Sequence, residues 1–171
     1  TGTVATFRTD LLERYIRLFQ KEGRTTIHGA PMVHRRDWLG SLDMLLGVRS
    51  ADGKEVYALS PKGKHMMTGM ATRIIAMMKE NGWEDRWLQG VFDEPTEEYV
   101  DRYKELITLF RGLFPGIQIL EATLTTQVAG DVNVWCPQVH EYQANREFFD
   151  ARKKAGDRVW VYTCLAPGGQ W

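Results

Sequence analysis

Leu88-Gln89-Gly90-Val91-Phe92-Asp93-Glu94-Pro95 joins an apolar run to two adjacent carboxylates and a proline. Gly90, Val91 and Phe92 have the unbroken apolar character of a strand buried on both faces of a parallel sheet. Thr96 then opens a segment whose apolar residues recur at helical spacing. Asp93 and Glu94 therefore fall in a strand-to-helix loop. In parallel α/β folds these loops lie at the carboxyl ends of the strands, where active sites gather. Two readings stand here: a solvated turn with acids near a helix N-terminus, or a site. Successive strand residues point to opposite faces, so the two acids can serve one ligand only if the chain leaves strand geometry. Pro95 helps, because it disfavours right-handed helical angles at Glu94.

Upstream, residues 10–22 carry Leu11, Leu12, Tyr15, Ile16, Leu18 and Phe19 at helical spacing, with Asp10 as cap and Gly23 as terminator. Residues 25–30 read as a short strand containing His28, and residues 37–46 as a short helix or a loop. Between residues 48 and 59, apolar segments flank Asp52-Gly53, the dipeptide of a tight hairpin. Residues 64–81 form a helix holding Met66, Met67, Met70, Met77 and Met78, whose expected role is core packing. Downstream, a helix over 97–114 stops at Pro115-Gly116. Strands follow at 117–121, 132–136 and 159–164, with a helix around Phe148, Phe149 and Lys153 ended by Gly156.

Parallel strands need crossover connections, so the alternation of helices with short strands predicts a parallel sheet. His28, the Asp93-Glu94 pair, Glu121, Trp135 and Tyr162 each stand near a strand end, one set per unit. Such repetition favours a TIM barrel over an open doubly wound sheet, which would concentrate its site at one switch point. Five parallel strands can be counted, whereas a closed barrel has eight strands and typically about 250 residues. The expected fold class is thus α/β, a TIM (β/α)8 barrel that is incomplete in this chain, with residues 1–171 forming one partial domain.

With 171 residues, 43% hydrophobic, the chain is large enough for a real core. A formal net charge of zero and the lack of a basic stripe argue against a nucleic-acid partner. No stretch approaches the length of a membrane span or has the form of an export signal. Thr1 is not an initiator methionine, and a longer polypeptide is expected. Cys136 and Cys164 are expected to be buried thiols. His34, His65 and His140 lack metal-ligand spacing, so no metal is expected, and no glycine-rich phosphate motif points to a nucleotide cofactor.

Asn81-Gly82-Trp83-Glu84-Asp85, Phe92-Asp93-Glu94-Pro95, Phe114-Pro115-Gly116, Val132-Asn133-Val134-Trp135-Cys136-Pro137 and Val159-Trp160-Val161-Tyr162-Thr163-Cys164, in that order and spacing, resemble the catalytic barrel of glycoside hydrolase family 123. The family overlaps the group called domain of unknown function 4091. The resemblance implies a hydrolase that removes terminal β-linked N-acetylgalactosamine from glycans without a cofactor. It implies a substrate-assisted retaining route, an exception to the two-carboxylate scheme. On matching positions, Asp93 would orient the sugar's acetamido group, which is the nucleophile, and Glu94 would protonate the leaving oxygen and then activate water. The adjacent Asp93 charge and burial would both raise the Glu94 pKa. A glycan-degrading enzyme of this kind is expected outside the cytoplasm, secreted or periplasmic for the full-length protein.

For substrate binding, ring faces suit the apolar C–H patches of a pyranose. Trp135 and Tyr162 are the candidate platforms, with plain packing as the alternative for each, while Trp160 is expected in the core. Trp160, Tyr162 and Cys164 share one strand face by alternation. Asn133 shares the Trp135 face and is a candidate hydrogen-bonding residue. Glu121 and His28 are candidates to bind sugar hydroxyls, with a solvated acid and an ordinary histidine as their alternatives. Two other functions stay open: a barrel glycosidase with a protein carboxylate nucleophile, for which Glu121 is the strand-end candidate, and a non-catalytic carbohydrate-binding barrel.

Overall fold

In the computed structural model, which describes residues 8–37 and 41–163, five strands lie parallel in the order β1 (Ile27–Gly29), β4 (Trp87–Gln89), β5 (Gln118–Glu121), β6 (Val134–Trp135) and β7 (Arg158–Val159). All five units expected from the sequence are present, and the class is α/β. The sheet is open. β1 and β7 form its edges, so the described residues do not make a closed barrel.

Between β1 and β4 the chain makes an antiparallel pair, β2 (Val33–Arg35) with β3 (Met44–Leu46), and then α2 (Pro61–Asn81). The Asp52-Gly53 turn is where the hairpin was expected, with Gly53 at φ 78. Its first arm begins earlier, because Leu46 N donates to Val56 O and Ala58 N to Met44 O. Met44–Leu46 is thus strand, where a helix or loop was expected; its three residues are all buried, which suits extended chain. α3 (Val100–Leu113) links β4 to β5, and α4 (Val139–Ala144) with α5 (Arg146–Lys154) links β6 to β7. Residues 122–133 cross from β5 to β6 through turns without a helix.

The pairing registers separate the two faces of the sheet. Trp87, Gln89, Ile119, Glu121 and Trp135 face the helices, and all but Gln89 and Glu121 belong to the main core. Met67, Met77 and Met78 of α2 and Tyr103, Leu106 and Phe110 of α3 fill that core. On the opposite face, Leu88, Leu120 and Val134 form a separate small apolar cluster. Gly29 lies where the Gln89 and Trp87 side chains cross β1: a Cβ there would stand 2.7 Å from Gln89 Oε1 and from Trp87 Nε1. Gln89 Nε2 in turn donates to Ala30 O and Gly90 O, tying the carboxyl ends of β1 and β4 together.

α1 (Asp10–Lys21) is the amphipathic helix expected, yet only Ile16 is buried, and Leu11, Tyr15, Leu18 and Phe19 are exposed. It stands off the free edge of β1 across an apolar groove of about 630 Å³ lined by Leu11, Tyr15, Ile27, Met70 and Trp87.

Candidate active site

β4 ends at Gln89, three residues before the expected boundary. Gly90, Val91 and Phe92 are buried but continue as an irregular segment, held because Gly90 N donates to Gly29 O and Val33 N to Val91 O. The chain then bends through Phe92, Asp93 and Glu94. Glu94 has φ 51 and is the one non-glycine residue with positive φ among the described residues. Pro95 closes the right-handed helical region to it, as expected, but the chain takes the left-handed region rather than an extended one. Such a conformation costs roughly 1–3 kcal/mol and persists only where surrounding contacts impose it. The bend meets the requirement that the acids leave strand alternation.

Those contacts come from both sides. Arg35 of β2 is buried, its guanidinium 5.7 Å from the centre of the Phe92 ring and 5.0 Å from that of Tyr99. Its Nη2 donates to the carbonyl oxygens of Asp93, at 3.1 Å, and of Glu94. From β5, Glu121 Oε2 accepts from the Phe92 amide at 3.1 Å and from the Tyr103 hydroxyl at 2.9 Å.

Asp93 projects into solvent and Glu94 is half-buried. The Tyr162 hydroxyl donates to Glu94 Oε1. The Glu94 carboxyl is held above the usual glutamate pKa, first by burial and then by the adjacent Asp93 charge; Arg35 and a hydrogen bond from Gln138 pull the other way. Tyr162 and Gln138 are brought together by a parallel bridge beyond β7, where Tyr162 N donates to Pro137 O and Val139 N to Tyr162 O. A protonatable carboxyl in a partly dry setting, next to an exposed carboxylate, can deliver and recover a proton.

The other expected site residues are placed differently. Trp135 is fully buried on the helix face, edge-on to Phe148 and Phe149 at 5.3 and 5.8 Å, with Nε1 donating to Asp157 at 2.7 Å. Both of its ring faces are spent on the core, so it is no platform for a ligand. Its register opposite Glu121 turns it to the helix face, against Phe148 and Phe149 of α5. Asn133 precedes β6 at the amino end of the sheet, where its Oδ1 accepts from Ile119 N. It knits strands, away from the acids. Glu121 is 1% exposed on the helix face, and burial raises its pKa to about 8. It touches the acid loop from behind and is enclosed, with no surface to offer a ligand. His28 lies on the opposite face, partly exposed, with burial lowering its pKa; its Nε2 stands 3.1 Å from where a Gly90 Cβ would be. Of the five candidate binding residues, Tyr162 alone contacts the acid pair.

Trp160, expected in the core, is 40% exposed, with the Arg158 guanidinium 5.8 Å from its ring centre. Cys136 is a half-buried free thiol whose pKa burial raises, and Cys164 lies outside the described residues. No group of three or more His, Cys, Asp or Glu side chains suited to a metal occurs among the described residues. No helix among them is long and apolar enough to cross a membrane.

Comparison with known families is decisive on one point. The family model for the glycoside hydrolase 123 catalytic domain matches residues 4–169. The chain belongs to glycoside hydrolase family 123. A search of solved structures finds similarity to a family 123 glycoside hydrolase from Clostridium perfringens, studied for glycolipid glycan hydrolysis, at a TM-score of 0.66 and 14% identity. The likeness covers 96% of this chain and 31% of that one, so at this identity the family 123 enzyme supports the fold, and this chain spans about a third of its length. No curated protein sequence matches.

Proposed function

We propose that this family 123 chain carries the catalytic acids of a glycosidase that removes terminal β-linked N-acetylgalactosamine from glycans by a substrate-assisted, retaining route. Glu94 is the general acid and then the base, and Asp93 orients the acetamido group and balances the charge of the cyclic oxazolinium intermediate. The observation that carries this reading is the pairing itself: a half-buried Glu94 with a raised pKa, hydrogen-bonded to Tyr162, beside an exposed Asp93.

The first step breaks the glycosidic C–O bond as the acetamido oxygen attacks the anomeric carbon and Glu94 gives its proton to the departing oxygen. Water then adds to the same carbon, Glu94 taking the water's proton, and the acetamido group is released. The placement of Glu121 favours this route over a protein nucleophile. It was the strand-end carboxylate available for that role, and it is enclosed between β5 and α3 with Tyr103 and the Phe92 amide on it. We read the five parallel strands as an arc of a TIM barrel and residues 1–171 as part of a single catalytic domain.

The test is hydrolysis of an aryl β-N-acetylgalactosaminide by the full chain, with the product anomer followed by NMR. Retention, tight inhibition by a thiazoline mimic of the cyclic intermediate, and loss of turnover in Glu94→Gln are expected. Binding of the sugar without turnover, unchanged in Glu94→Gln, would instead identify a non-catalytic carbohydrate-binding barrel. Turnover insensitive to the thiazoline would overturn the substrate-assisted route.

A further inference from the structure

We propose that Arg35 and Glu121 are positioning residues that hold the backbone of the acid loop and thereby set where the Glu94 carboxyl stands. The proposal rests on the glycosidase reading above and adds two residues that do not touch the reacting atoms.

A general acid works only within hydrogen-bond reach of the oxygen it protonates, so its backbone must be fixed. Glu94 is fixed in a conformation that its own residue type disfavours, at φ 51. Two elements on different sides of the loop supply the restraint. The Arg35 guanidinium, on the β2–β3 hairpin, grips two successive carbonyls, Asp93 O and Glu94 O. Both bonds leave one nitrogen, Nη2, whose direction is set by the planar guanidinium, a fixed orientation that lysine's flexible stem does not offer. The guanidinium's own position is fixed by the Phe92 and Tyr99 rings beside it. The Glu121 carboxyl, on β5, takes the Phe92 amide from the other direction and is itself held by Tyr103 of α3. Donor and acceptor thus pull on the same short loop, at the peptide before Phe92 on one side and at the two peptides after Asp93 and Glu94 on the other.

Both polar groups are also buried, Arg35 at 8% and Glu121 at 1% exposure. Buried charged or ionisable side chains are costly unless they meet specific partners. Here the partners are the main chain of the residues that carry the proposed chemistry, where ordinary core packing would have used apolar side chains at lower cost.

Displacement of a reacting group by about 1 Å costs on the order of a hundredfold in rate. The loss is selective, because a leaving group that departs readily as an anion needs no proton from Glu94. The experiment compares two β-N-acetylgalactosaminides, one with an alkyl alcohol and one with dinitrophenol as leaving group, on the full chain. Arg35→Met and Glu121→Leu are expected to lower kcat for the alkyl glycoside by about a hundredfold, to lower it for the dinitrophenyl glycoside by less than about tenfold, and to leave KM within a few fold. Glu121→Gln keeps an oxygen for the Phe92 amide and should recover most of the loss seen in Glu121→Leu. Arg35→Lys keeps the charge but loses the planar group that sits beside the Phe92 and Tyr99 rings and aims Nη2, and should recover little.

Equal losses on both glycosides, or full recovery by Arg35→Lys, would overturn the proposal and leave the glycosidase reading intact. Absence of turnover by the unsubstituted chain would overturn that reading and this inference with it. If Arg35→Met does not fold, the Glu121→Leu and Glu121→Gln pair and Arg35→Lys carry the comparison.

Discussion

The Tyr162 hydroxyl donates to the Glu94 carboxylate across sixty-eight positions of sequence, so the loop after β4 and the stretch after β7 meet at one oxygen. The parallel sheet makes this possible: each strand delivers its end to the same side, and the bridge between Gln138 and Tyr162 extends the last pairing just far enough.

That meeting gives a titration prediction. Burial is the larger cause of the raised Glu94 pKa and the Asp93 charge the next, while the Gln138 hydrogen bond lowers it. Asp93→Asn should therefore bring the Glu94 pKa down without restoring the ordinary value, and Gln138→Leu should move it up. A general acid works in its protonated form, so the basic limb of the pH–rate profile should shift to lower pH in the first variant and to higher pH in the second. Carbon NMR of labelled glutamate measures the same order directly.

Glu121 predicts a pH dependence of stability. Its folded pKa of about 8 lies above the ordinary glutamate value of 4.5, so between these the folded state holds more protons than the unfolded state. This contribution to stability is complete below the unfolded value and is lost as pH rises through the folded one, with a slope of at most about 1.4 kcal/mol per pH unit. Glu121→Gln should flatten the curve of unfolding free energy between pH 5 and 8, on the order of that window. An unchanged slope in denaturant titrations would mean that the carboxyl is not enclosed as described.

Trp135 should behave as a core residue. Replacing it with alanine removes its contacts with Phe148 and Phe149 and the bond to Asp157, and should cost about 3–5 kcal/mol in chemical denaturation. Trp135→Phe keeps one aromatic ring but removes the rest of the indole with its donor to Asp157, so it should cost less than alanine and more than the roughly 1 kcal/mol of the hydrogen bond alone. Calorimetry with N-acetylgalactosamine, the sugar of the proposed substrate, should give the same result for a folded Trp135→Phe chain as for the unsubstituted one.

Gly29→Ala should destabilise the chain by about 1–3 kcal/mol, since the new methyl group would press on Gln89 and Trp87 where both already bond to each other. Thermal unfolding monitored by circular dichroism measures the effect, and the double variant Gly29→Ala with Gln89→Ala should recover part of it.

The strand-and-helix order was legible because it depends on local pattern. Apolar periodicity located α1, α2 and α3, and Gly53, Gly82, Gly116 and Gly156 mark turns through their positive φ. The acids and Tyr162 were legible through their places at strand ends. Facing was not. Trp135 and Glu121 point to the helices because β5 and β6 are short and their register sets the face, and register is a pairing between distant segments. Arg35 left no signal either: His34, Arg35 and Arg36 are three polar residues in a row, and only the pleat of β2 buries the middle one.

The hairpin that bears Arg35 is not a strand of the five-stranded sheet, and a two-stranded pair depends on packing for its stability, here of Val33, Met44 and Leu46 in the core. Its fluctuations would thus reach the acid before the parallel sheet loosened. At denaturant concentrations too low to change the helix signal, the proton delivery proposed for Glu94 should already be failing, which would make turnover a more sensitive thermometer of this molecule than its ellipticity.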